Sequence, residues 1–245
     1  MEFSTLQLVA ITLIFVWSGF IRAGIGFGGA GLSLPLLLLV EDQPLFFLPI
    51  IAIHLLIFTS ITTGGRLGKI DWSFVRFSMG WMIIPKLVGV IGLLSLPNTW
   101  MVTFVFLISA FYALSWIFKQ EFRSNTPWFD RLLLMAGGYV SGASLVGAPL
   151  IAAVAIRHVE LKRYRDTLFV LWFLLVTIKM STFVIVGVDL QWQWALALLL
   201  PTTLGHLVGM KFHERMLHGD PVQVKRILGF GLLLVSCFGL WQVLQ

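Results

Sequence analysis

Apolar residues fill most of the chain in long blocks separated by short polar joints. The blocks fall at Leu6–Ile21, Leu32–Val40, Pro44–Thr63, Phe74–Leu96, Thr99–Phe118, Leu132–Val146, Pro149–Ile156, Leu168–Val188, Trp192–Met210 and Ile227–Leu244. Six of them reach about 20 residues, enough helix to cross a bilayer. The other four form two pairs, about 16 and 9 residues and then about 15 and 8, each member short of a full crossing. A glycine-rich stretch interrupts each pair. The first is Gly19–Pro35, GFIRAGIGFGGAGLSLP, with five glycines between Gly24 and Gly31. The second is GYVSGASLVGAPL, Gly138–Leu150. Glycine makes an unwound backbone cheap, so each stretch predicts a break.

The two stretches echo each other. At a shift of 119, Gly19 falls on Gly138, Phe20 on Tyr139, Ile21 on Val140 and Gly28 on Gly147. Pro85-x3-Gly89 matches Pro201-x3-Gly205 at a shift of 116. These matches predict a duplicated unit. The first repeat covers residues 1–120, with a hairpin at 5–40 and three spans. The second covers 121–245, with a hairpin at 131–157 and three spans.

Loop charges choose the topology. If each broken pair crosses once, basic residues divide 6 against 8 between the faces. If each pair returns to its own side as a hairpin, one face takes Arg66, Lys69, Arg76, Lys119, Arg123, Arg131, Arg157, Lys162, Arg163, Arg165, Lys211, Arg215, Lys225 and Arg226. The other face takes none, and the positive-inside rule favours that arrangement. Both termini are then expected on the periplasmic or extracellular side. The halves insert in opposite senses, as inverted repeats of secondary transporters do, with broken helices at the midplane. The expected fold is an all-α polytopic membrane protein of two inverted-topology repeats, each a Gly-rich re-entrant or broken hairpin plus three transmembrane helices.

Composition agrees. The chain is 58% hydrophobic and 11% charged, against about 25% charged for a soluble domain. The net charge of +6 sits in loops, so membrane orientation explains it better than nucleic acid. The start, MEFSTLQLV, lacks a basic region and a cleavage site and reads as a retained span. The lone cysteine, Cys237, decides nothing about redox compartment.

Three basic residues lie outside the loops: Arg22 at the first glycine break, Lys86 after Pro85, and Lys179 mid-span. No Asp or Glu is placed deep in a span. A charge at mid-bilayer costs at least about 2.5–3.5 kcal/mol and faces a cavity or a partner. A transient anion is one partner. Backbone carbonyls freed by the breaks, or snorkelling, are the others. Half-helices starting near Leu32 and Leu150 would aim free N–H groups at the breaks, and such ends favour anions. Close helix packing through Gly19-x3-Ala23 and Gly24-x3-Gly28 is the competing use of the glycines. His54 and His206 lie in spans and titrate near neutrality, so each is a candidate for proton coupling or a structural histidine. Thr59, Ser60, Thr62, Thr63, Ser181 and Thr182 either line a polar path or bond backbone carbonyls. Gly24-x-Gly26-x-x-Gly29 fits the dinucleotide fingerprint only formally, with neither a preceding strand nor a later acid. No metal-ligand cluster occurs.

The paired motifs resemble those of the TauE/SafE family, sulfite exporters also known as toluene-sulfonate uptake permeases. The first copy, Gly19–Pro35, follows the family's G-x-x-x-G-x-x-G-x-G-G-G form closely. The second, Gly138–Pro149, carries Ser144, Leu145, Val146 and Ala148 where small or glycine residues are usual, and Arg22 departs from the pattern. The resemblance implies a secondary transporter, read as an exporter, of sulfite or organosulfonates across the bacterial inner membrane, and not an enzyme. Alternatives are an anion channel or an uptake permease for another small organic anion. Expected substrate contacts are Arg22, Gly26, Gly28, Gly29, Gly31, Lys86, Gly147, Ala148 and Lys179, with His54 and His206 for protons. The expected partners are the small anion and the lipid bilayer, with a homodimer as the candidate assembly. No cofactor, metal or nucleic acid is called for.

Overall fold

The structure, a computed structural model, describes residues 3–25, 29–120, 125–217 and 221–245. Among these, ten α-helices carry the fold: α1 (Thr5–Ile25), α2 (Gly29–Val40), α3 (Pro44–Thr63), α4 (Trp72–Ser95), α5 (Asn98–Ile117), α6 (Pro127–Ser144), α7 (Ala148–His158), α8 (Leu161–Val186), α9 (Trp192–Leu217) and α10 (Pro221–Val243). A single 3-10 turn, Leu67–Lys69, precedes α4. Seven helices are long and apolar enough to cross a membrane, where the block pattern predicts six. The addition is α1, which spans from Thr5 to Gly24. The glycines at Gly19 and Gly24 do not stop it, because every helical hydrogen bond stays within the segment. The first break is thus narrower than the glycine run: α1 ends at Ile25 and α2 begins at Gly29, three residues before Leu32.

Helix starts follow local chemistry. The Asp71 side chain accepts from the Phe74 amide at 2.9 Å and caps α4. Thr126 caps α6, with Pro127 at its first position. Gly187 takes a left-handed conformation and ends α8. Prolines 35, 49, 85 and 201 sit inside helices, as membrane helices tolerate.

The chain forms two compact units, each built from segments of both halves of the sequence. The first comprises Met1–Phe47, Pro97–Glu121 and Gln191–Gln245; the second comprises Leu48–Leu96 and Phe122–Leu190. In the first unit α1 and α2 make a hairpin. Gly29 packs on Ser18 and Arg22, and Gln7 Nε2 donates to the Val40 carbonyl at 3.2 Å and to the Glu41 carboxylate at 3.4 Å. Both contacts pair an advancing residue of α2 with a receding residue of α1, so the helices are antiparallel. Asn98 donates to the Asp42 carbonyl, and Phe3, Phe46 and Trp194 cluster edge to face. The hairpin mouth and the starts of α5 and α9 therefore share one end, which carries Glu41 and Asp42. Gly229 of α10 abuts Ala113, Trp116 and Ile117 of α5. Lys119, Lys211, Lys225 and Arg226 thus fall toward the opposite end.

The second unit holds the α6–α7 hairpin. Its mouth is clasped by Asp130, which accepts from Arg157 at 3.0 Å and pairs with His158 at 2.8 Å. The His158 ring lies against Phe74 and Phe77, each at 6.0 Å. Arg66 pairs with Asp166 at 3.8 Å, and the Asp71 amide donates to Thr167 Oγ1 at 2.9 Å. Arg66, Arg131, Arg157 and Arg165 consequently gather at one end of this unit, the end onto which its hairpin opens.

Candidate functional site

The spans nearest the hairpins meet them backbone to backbone. In the second unit a Cβ built on Gly142 would strike the Lys86 carbonyl, one on Gly89 the Tyr139 carbonyl, and one on Gly138 the Met82 carbonyl at 2.8 Å. In the first unit Gly19 would strike the Thr202 carbonyl, Gly205 that of Val16 and Gly209 that of Phe20. Only residues lacking a side chain permit such approach, the close-packing use of membrane glycines. It makes α4 a direct neighbour of α6, and α9 of α1.

This proximity places two lysines. Lys86 Nζ, fully buried on α4, donates to the Ser141 carbonyl at 3.1 Å and pairs with Ser141 Oγ at 3.0 Å. Lys179 Nζ, fully buried on α8, donates to the Gly142 carbonyl at 2.8 Å and lies 5.4 Å above the Phe183 ring. Both ammonium groups are anchored on consecutive residues in the last turn of α6. A helix C-terminus leaves carbonyls unpaired and carries partial negative charge, so lysines there are favourably placed. Backbone carbonyls, one of the partners weighed for these cations, receive both lysines. Among the described residues, neither lysine forms an ion pair with a carboxylate.

The break follows at once. Leu145 ends α6 with φ 61°, a left-handed conformation costly for a branched side chain. Gly147 precedes α7 and abuts the Gly137 carbonyl and Ser141, where a Cβ would overlap. Ala148 opens α7. Lys86, Lys179, Gly147 and Ala148 are therefore brought together around the α6–α7 break. His54 is also buried in this unit, on α3.

The first unit holds Arg22, Gly29, Gly31 and His206. Arg22 is half-buried in the last turn of α1, and Gly29 and Gly31 lie in the first turn of α2. His206 is half-buried on α9, its amide 2.8 Å from where a Gly19 Cβ would stand. Gly26 and Gly28 fall outside the described residues. Of the span-end hydroxyls, Ser60, Thr62, Thr63 and Thr182 each donate to the carbonyl four residues back at 2.7–2.9 Å, the backbone-bonding alternative.

Sequence reasoning did not single out Ser141, the partner of Lys86; its position between Gly138 and Gly142 in a close-packed face was the available signal. Asp130 and Asp166 also read as loop acids, yet they are 1% and 5% exposed. Their burial comes from the basic residues folded against them.

Seven long apolar helices and two short-helix hairpins define a multi-pass helical membrane protein. The family model for the sulfite exporter TauE/SafE matches residues 11–238, and the chain belongs to that family of membrane transporters. No curated protein and no solved structure matches the chain.

Proposed function

We propose that the protein is a secondary transporter that exports small sulfur-containing anions, sulfite or an organosulfonate, across the bacterial inner membrane. The observation that carries this reading is the pair of buried lysines on the end of α6. Two lysine side chains converge on one helix end worth roughly −0.5 charge. Any positive charge they carry lies in a region where bare charge is costly. A compact oxyanion would neutralise it, and the start of α7, next along the chain after α6, is a helix end that favours anions. An anion bound there would share the two lysines with the Ser141 and Gly142 carbonyls.

The hairpins support inverted repeats. Ser144 follows Ile25 by 119 residues, and Ala148 follows Gly29 by 119. The second hairpin opens onto the basic end of its unit, whereas the first opens onto the end carrying Glu41 and Asp42. With basic ends cytoplasmic, the hairpins insert in opposite senses and both termini lie outside the cytoplasm. Rocking of the repeats would then alternate access.

Thermal-shift measurements on the purified protein against sulfite, sulfoacetate, taurine, sulfate and carboxylate analogues test the substrate class. Stabilisation by sulfite or a sulfonate, together with saturable counterflow in vesicles, is expected. Stabilisation by carboxylates alone would overturn the sulfur-anion assignment.

A further inference from the structure

The two close crossings can be matched residue by residue. Gly138 on the Met82 carbonyl corresponds to Gly19 on the Thr202 carbonyl, and Gly89 on Tyr139 corresponds to Gly209 on Phe20. The hairpin residues in these pairs differ by 119. The span residues differ by 120, so the packing sets α9 against α4 one helical turn away from the Pro85–Pro201 match. The prolines do not make the crossing contacts; the glycines do. In this register Ser141 corresponds to Arg22, and Lys86 to His206.

We infer that Arg22 and His206 form a second anion station, the first unit's counterpart of Ser141 and Lys86. Each station stands at a glycine crossing beside a hairpin break, and each combines one cation with one smaller polar group. Their placement is exchanged. In the second unit the cation is on the span and the hydroxyl on the hairpin. In the first unit the cation is on the hairpin and the imidazole on the span. A Cβ built on Gly29 would stand 3.1 Å from Arg22 Cβ, which sets the root of the arginine against the start of α2. The Gly19 crossing leaves no side chain between α1 and the His206 backbone. A guanidinium offers five donors in a planar fork and an imidazole at least one, a set suited to an anion with three or four oxygens.

The inference rests on the anion-transport reading above, and the experiment separates the two. Sulfite affinity is measured by calorimetry on the full-length protein in detergent, for the wild type, Arg22→Gln, His206→Gln, the double variant and Lys86→Met. Each glutamine variant is expected to bind sulfite about tenfold more weakly, the loss of one charge-assisted contact. Melting without ligand is expected to stay unchanged. The double variant is expected to lose about tenfold rather than a hundredfold, because both groups hold one anion as a unit. Wild-type affinity in either single variant, or fully additive losses, overturns the station while leaving the Lys86 site standing. A wild type that binds no sulfur oxyanion, with Lys86→Met indistinguishable from it, overturns the transport reading and this inference with it. Should a glutamine variant fail to fold, Arg22→Lys and His206→Asn keep a donor at each position and are judged by the same criteria.

Discussion

Gly142→Ala is the most direct test of how the lysines are held. The new methyl would run into the Lys86 carbonyl and stand 3.0 Å from the Val90 nitrogen and 3.1 Å from the Gly89 Cα. All three neighbours are backbone, so no side chain can swing aside and α4 must move away from α6. Overpacking of this kind costs about 1–3 kcal/mol. Alanine's better helix propensity returns at most about 1 kcal/mol. The displacement also loosens the bonds from Lys179 to Gly142 and from Lys86 to Ser141, and charge-assisted bonds are worth about 1.5–3 kcal/mol each. The expected net loss is about 2–3 kcal/mol. At about 2–4 °C per kcal/mol for a chain of this size, melting followed by tryptophan fluorescence should fall by roughly 4–12 °C. Gly92→Ala is the control, on the partner helix α4 and with nothing within 4 Å of its new methyl; it should melt at or slightly above wild type. If Gly142→Ala melts as high as Gly92→Ala, the close approach of the two helices does not depend on this glycine and the lysine geometry has another cause.

Three further outcomes follow from the same contacts. Lys86→Met should melt at or above wild type while losing sulfite binding, since a cation costing at least about 2.5–3.5 kcal/mol at mid-bilayer is removed and the Ser141 carbonyl keeps the Leu145 amide at 3.1 Å; a clear fall in melting temperature would make it a structural clasp. Asp130→Asn should destabilise by about 1–3 kcal/mol, because a buried acid loses two partners, whereas Arg66→Ala should cost under about 0.5 kcal/mol, its side chain being 53% exposed in a 3.8 Å pair; equal melting shifts would contradict this ranking. In a Cys237→Ser background, single cysteines at Gly65 and Asn125 should label from the same, cytoplasmic side, and labelling from opposite sides would refute the hairpin topology.

The elements were legible where sequence and physics point one way. Each long block became a helix, because a chain in lipid must satisfy its backbone internally, although α8, α9 and α10 run six or seven residues past their blocks at one end. The hairpins were legible indirectly, through loop charges rather than through the breaks themselves. The extent of the first break was not, since helix α1 runs through Gly19 and Gly24 to Ile25. Glycine count measures permission to unwind, and permission is not used where a neighbouring helix demands close packing. The partners of Lys86 and Lys179 were open between an anion and carbonyls, because composition cannot show which helix end a side chain reaches. The pairing of Lys86 with His206 was hidden for a different reason. The Pro-x3-Gly spacing suggested a shift of 116, and only the contacts reveal that Gly89 plays the part of Gly209.

The glycines and the cations are thus one arrangement. A lysine reaches about four methylenes from its own helix, so Lys86 meets the end of α6 only if the two backbones nearly touch. Gly89, Gly138 and Gly142 supply that approach. Ser141, one residue before Gly142, then stands within reach of the ammonium. The same turn presents the Gly142 carbonyl to Lys179 from α8. Side chains at these three positions would separate the helices and leave both cations in the bilayer without polar partners. The crossing therefore does two things with one set of residues: it packs the hairpin against its span, and it sets the charges at the break. Strengthening the packing by larger residues would remove the charges from the break, which is why small residues are required even where helix packing alone would accept alanine.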